Sequence, residues 1–219
     1  MPVPWSRRRP VAHVSAAMCP GAGSLRPRRP RENDFCGAAT GQRAVTRTAY
    51  VDESARDGYL VCAVVVIGDP AVIRTSMRAL ARRGSSRVHM AKESPRQRRT
   101  VLSTVTAFPV EAHLVQTTLA GRSQREGRDR CLTELVGSVV AAGVDQLILE
   151  SCDQDHQDRA VLAAALGGPD SATGLTYDHR RPREEVLLWL PDVIAWAYGR
   201  GGEWRTRAST VIRSVHTCP

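Results

Sequence analysis

Three carboxylates stand where apolar residues are expected. Ala49-Tyr50-Val51 runs straight into Asp52, Glu53 and Ser54, and Leu147-Ile148-Leu149 ends in Glu150. Asp192 interrupts the run from Leu187-Leu188-Trp189-Leu190-Pro191 to Val193-Ile194-Ala195-Trp196. A charge in such surroundings is costly unless a basic side chain or a cation meets it. Two acids at strand ends plus one on a core-facing helix form the oxygen-ligand set of a hard divalent cation. Magnesium fits this set, taking few protein carboxylates and completing its shell with water and substrate phosphate. The alternative for Asp192 is a carboxylate satisfied by an arginine.

Other residues bear on the same chemistry. Glu53 follows Asp52 directly, and neighbours on a strand point to opposite faces. Both enter one site only if the strand has already ended. His89 and Glu93 lie four residues apart, a spacing that lets them share a helix face. Glu93 either completes the site or pairs with Lys92 or Arg96. His179, in Tyr177-Asp178-His179-Arg180-Arg181-Pro182, precedes the last helix and has a side chain able to transfer protons near neutral pH. Arg180, Arg181 and Arg183 either hold a phosphate backbone or solvate the loop. The acid-rich segment 153–158 lacks the glycine of a calcium-binding hand and reads as a turn into a helix.

The elements that position these residues alternate. Strands are expected over 48–52 and 59–67, joined through Asp57-Gly58 as an antiparallel hairpin. A helix follows over 70–81, with Asp69 as N-cap and Pro70 at the first helical position. A short extended piece is expected over 87–90 and a helix from Ser94-Pro95 to about 107. Next come a strand over 110–117, a helix over 131–142 closed by Gly143, and a strand over 146–150. The remaining elements are a helix over 159–166, an edge strand over 175–177 and a final helix over 184–198 interrupted by Pro191. This is a mixed α/β layout, a sheet covered by helices.

The 219 residues suffice for one sizeable core, and the net charge of +9 is unevenly spread. Up to position 47 the leader holds Arg7, Arg8, Arg9, Arg26, Arg28, Arg29, Arg31, Arg43 and Arg47 against only Glu32 and Asp34. The rest is nearly balanced. Residues 1–47 are therefore expected to form a disordered Arg/Pro-rich leader, 48–206 the domain and 207–219 a C-terminal tail. The apolar stretch after Arg7-Arg8-Arg9 is short and broken by His13, which argues against export. The six cysteines show no metal spacing, so reduced thiols and a cytoplasmic location are expected.

Tyr50-Val51-Asp52-Glu53-Ser54 and Leu190-Pro191-Asp192-Val193-Ile194-Ala195 resemble the signatures of the domain-of-unknown-function 3800 family, over about 48–204. Members of that family look ribonuclease H-like. The resemblance implies a ribonuclease H-like mixed sheet opening with an antiparallel hairpin, with helices packed on it. It implies a magnesium- or manganese-dependent nuclease acting on RNA or DNA. Asp52, Glu150 and Asp192 would hold the metal, Glu53 or Glu93 would assist, and His179 would help the leaving group depart. The segment from His89 to Glu93 is similar to a histidine-plus-acid segment of many members. Pro191 stands where the family often has Ala, and Glu150 where ribonuclease H-like enzymes usually have Asp. The rival reading is a non-catalytic scaffold of the same fold, binding nucleic acid or a protein partner.

Overall fold

The computed structural model describes residues 46–56, 58–168 and 173–218. The expectations for positions 1–45 and for Asp57 lie outside these residues. Strand β1 (Thr48–Ser54) pairs antiparallel with β2 (Tyr59–Val66), and β2 pairs antiparallel with β3 (Val110–Thr117). Strand β4 (Gln146–Glu150) joins the other side of β1 in parallel, and β5 (Thr176–Arg180) continues parallel beyond it. The sheet order is β5-β4-β1-β2-β3-β6, where β6 is Ile212–Thr217. Residues 207–219 were expected as a tail. Instead β6 lies parallel to β3, with Cys218 N–H bonded to Gln116 O at 2.9 Å.

The sequence accounts for the central elements directly. Every residue of β2 is buried because the sheet is covered on both faces, and its apolar run has no polar alternation. Gly58, in the β1–β2 connection, has φ +133°, and a Cβ there would stand 2.7 Å from Thr117 O. Only glycine allows that approach.

Helix α1 (Pro70–Leu80) begins as expected, with the Asp69 carboxylate accepting from Ala71 N–H at 2.8 Å. Helix α2 (Pro95–Thr106) has Ser94 as its cap. Helix α3 (Gln124–Ala141) starts earlier than its apolar stripe suggests. Ser123 and Glu126 cap each other's backbone there, satisfying donors that no apolar pattern reveals. Residues 87–90, expected as an extended piece, lead instead into a 3₁₀ turn at Met90–Lys92.

Helix α4 (Asp155–Ala165) lies beside α3, and α5 (Trp189–Arg200) begins after a 3₁₀ turn at Val186–Leu188. Pro191 therefore falls in the first turn of α5 rather than mid-helix, where its missing N–H has no intrahelical partner to lose. Helix α6 (Gly202–Ala208) follows directly.

The two faces have separate cores. Tyr50, Val64, Leu114 and Ile148 face a cluster with Ile73, Leu102, Leu190 and Ile194 from α1, α2 and α5. Val51, Val61, Val115 and Leu149 face Leu132, Leu135, Val139 and Leu162 from α3 and α4.

The second core encloses an ion network. Arg128, only 2% exposed, stands on the apolar stripe of α3 and grips Asp158 of α4 with two hydrogen bonds, at 2.9 and 2.7 Å. Arg128 Nη1 also pairs with Glu53. His179 Nε2 lies 3.1 Å from Asp158 Oδ2. Burial pushes the Asp158 carboxyl up, but Arg128 and His179 outweigh it and hold it below its ordinary value.

Breaking such a buried pair leaves a charge stranded. Arg128→Met is expected to cost about 3–5 kcal/mol in urea unfolding, and Arg128→Met/Asp158→Leu less than Arg128→Met alone.

Candidate metal centre on the sheet

Parallel pairing of β1 and β4 determines which acids meet. The register matches Tyr50 with Ile148 and Val51 with Leu149, so Asp52 and Glu150 are next in line on the same face. That face carries α5, which supplies Asp192 from its first turn. The helix N-terminus favours a negative charge there. Three elements distant in sequence thus bring Asp52, Glu150 and Asp192 to one end of the sheet.

Their electrostatics show the proximity. Burial raises the Asp52 carboxyl well above its ordinary value of 3.8, and the charges of Glu150, Glu53 and Asp192 raise it further. One bond opposes this, Glu53 N–H to Asp52 Oδ1 at 2.8 Å. The Glu150 carboxyl is also raised, by burial first and by Glu53 and Asp192, while Arg87 lowers it.

Each outer acid has a partner. Arg87 Nη1 donates to Glu150 Oε1 at 2.8 Å. Asp192 Oδ2 accepts from Met90 N–H at 2.9 Å, and its Oδ1 lies 3.3 Å from His89 Nδ1. No guanidinium bonds Asp192 among the described residues.

The other candidates fall elsewhere. Strand β1 runs on through Ser54, so Glu53 turns to the opposite face and pairs with Arg128. Glu93 is buried beside the 3₁₀ turn, with Oε2 2.9 Å from Arg82 Nε. His89 and Glu93 flank that turn, so no helix face joins them. His179 is not in a loop. It lies in β5 opposite Leu149, its side chain 2% exposed and bonded to Asp158. The alternation of β5 thus puts His179 across the sheet from Asp52, which corrects its reading as a proton shuttle.

Among the described residues, the single trio of His, Cys, Asp or Glu with ligand atoms all within 4.8 Å of one another is Cys152, Asp155 and Asp158. Its oxygens are already engaged. Asp155 accepts from Cys152 N–H at 2.8 Å and from Ser151 O–H at 2.7 Å, and Asp158 is held by Arg128. The guanidinium supplies the cation, so the trio reads as structural. Asp52, Glu150 and Asp192 are more open in spacing, as expected of like charges drawn toward separate partners.

Sequence reasoning missed Arg87 and Arg128. Arg128 was detectable, because it precedes Leu132, Leu135 and Val139 on one helix stripe. Arg87 had no local signal, since its partner is 63 residues away.

Comparison with known proteins finds no matching protein family and no matching curated sequence. A chain from the structure of the PCNA:RNase HII complex from Archaeoglobus fulgidus aligns with TM-score 0.51 and 14% identity, covering 74% of this chain and 77% of that one. Weaker likenesses are ribonuclease H2 from Pyrococcus horikoshii OT3 (TM-score 0.41, 17% identity, 69% of this chain, 71% of that one) and Bst-RNase HIII in complex with Mn2+ (TM-score 0.47, 11% identity, 71% and 52%). The protein has a ribonuclease H-like fold. No helix among the described residues is long and apolar enough to cross a membrane.

A carboxyl raised in the folded state destabilises that state at pH values above its folded pKa. The penalty fades as pH falls toward the unfolded value. Without divalent cations, Asp52→Asn is therefore expected to melt about 2–4 °C higher than wild type near pH 7, the shift produced by about 1 kcal/mol in a chain this size. The gain should shrink toward pH 4, and scanning fluorimetry across pH in a chelator checks it. Magnesium is expected to raise the melting temperature and Arg87→Met to enlarge that rise, because Glu150 then lacks its internal counter-ion.

Proposed function

We propose that the chain is a divalent-metal-dependent nuclease of ribonuclease H-like type, hydrolysing phosphodiester bonds in nucleic acid. The observation that carries this reading is the meeting of Asp52, Glu150 and Asp192 on one sheet face with mutual repulsion that the protein only partly neutralises. The donor set fits magnesium or manganese, since it consists of hard carboxylate oxygens. Bound metal would activate water and stabilise the leaving oxygen.

The chain's own residues have defined tasks in this reading. Asp52, Glu150 and Asp192 are the metal ligands, and Asp52 feels the charges of both others. The Met90 N–H and His89 orient Asp192. Arg87 holds Glu150 in place until cations arrive. Glu53, through Arg128, fixes the end of β1 from behind and is a positioning residue rather than a ligand. Membership of the domain-of-unknown-function 3800 family and a cytoplasmic location belong to this proposal, supported by the two motifs and by the free state of Cys62, Cys131, Cys152 and Cys218.

The second reading, a non-catalytic scaffold, is favoured by one contact: Arg87 already gives Glu150 a cation. Cleavage of labelled RNA, DNA and hybrid duplexes with magnesium or manganese separates the two. Asp52→Asn and Asp192→Asn are each expected to lower cleavage by at least about 100-fold, since even outer partners of metal ligands are worth about 10–100-fold. Activity surviving both substitutions contradicts the assigned site. Binding without cleavage of any substrate favours the scaffold.

A further inference from the structure

Beside the acids lies a cleft of opposite charge. Its volume is about 510 Å³, and its walls carry Arg82, Arg87, Lys92, Arg181 and Arg183 against Glu93 as the one acid. No Phe, Tyr or Trp side chain lines it. Two of the lining residues reach the candidate metal ligands directly, Arg87 touching Glu150 and His89 touching Asp192. Ser151, the residue after Glu150, lines it as well.

The cleft is a built feature. One wall, the turn after His89, is held by Arg98, which donates to Met90 O at 2.8 Å and Ala91 O at 2.9 Å. Arg98 in turn lies over the Trp196 ring of α5, 4.8 Å from its centroid. The other wall is tied to the same helix, because Trp189 Nε1–H donates to Pro182 O at 2.8 Å. Both basic walls are thereby fixed relative to Asp192.

Lys92, Arg181 and Arg183 are exposed, and their side chains form no ion pair or hydrogen bond among the described residues. Unpaired cations gathered round a concavity attract phosphate, while the lack of Phe, Tyr and Trp removes a means of gripping bases, the one imidazole there, His89, being engaged by Asp192.

We infer that this cleft binds the sugar-phosphate backbone of a single polynucleotide strand, without sequence preference, and leads that strand past Asp52. The inference takes only the position of the scissile bond from the nuclease reading. Arg87 is the joint between the two fields. Its guanidinium lines the cleft while resting on Glu150, so a strand phosphate arriving with cations can take it over as Glu150 turns to metal.

The test is anisotropy titration of a fluorescein-labelled oligothymidylate of about 16 nucleotides, in a chelator so that no cleavage occurs. The proteins are the full chain and its Lys92→Ala/Arg181→Ala/Arg183→Ala variant, with melting temperatures measured alongside. The variant is expected to bind at least about tenfold more weakly at low salt, with the log–log salt slope flattened by about 2, at an unchanged melting temperature.

Equal affinity and equal slope for the two proteins overturn the inference. So does inorganic phosphate displacing the strand at equal phosphate concentration, which would mark a small-anion site. If the charges govern binding yet magnesium gives no cleavage, the cleft stands and the nuclease reading falls. If cleavage proceeds and the variant binds like wild type, the reverse holds.

Discussion

The alternation of side chains at Asp52 and Glu53 divides the protein's charge chemistry between two faces of one sheet. On one face Asp52 meets Glu150 and Asp192, and burial first, then the neighbouring negative charges, raises its carboxyl. On the other, Glu53 pairs with the Arg128 guanidinium. A slip of one residue in the β1–β4 register would turn Asp52 toward the α3 core and Glu53 toward α5. In the proposed reading the register is therefore a functional constraint as well as a structural one. It is held by the apolar pairs Ala49–Leu147, Tyr50–Ile148 and Val51–Leu149 that precede the acids.

The two ion groups differ in completeness. Arg128 and Asp158 satisfy each other with well-aligned bonds inside the core, and adding a cation there would displace a guanidinium already in place. The Asp52 group is served by Arg87 at one edge and by His89 and Met90 at another, while Asp52 itself accepts only the Glu53 N–H among the described residues. A protein tolerates such an arrangement where something else relieves the repulsion. In the proposed reading a divalent cation would do so, and the neighbouring basic cleft would hold the phosphate that accompanies it. Acid and base stand side by side, each incomplete alone.

Much of this was visible in the chain itself. Strand β3 and strand β4 were read to the residue, because apolar runs bounded by turn residues leave little choice. The three acids stood out because they break those runs. Arg128 aside, what escaped had no local signature. Strand β6, with outward-facing Arg213 and His216, looks like a polar tail until β3 is present to pair with it. Thr176-Tyr177-Asp178-His179-Arg180 is largely polar, which by itself suggests a loop around His179. Its strand character comes from parallel pairing to β4. The partners of Arg87 and Arg128 depend on tertiary placement, which periodicity does not encode.

Anomalous diffraction from crystals grown with manganese locates a bound cation without reference to activity. The account expects manganese among the carboxylates of Asp52, Glu150 and Asp192, with Arg87 swung off Glu150 into the cleft. Manganese at Cys152, Asp155 and Asp158, or an unoccupied Asp52 face with Arg87 still resting on Glu150 at saturating metal, would contradict it.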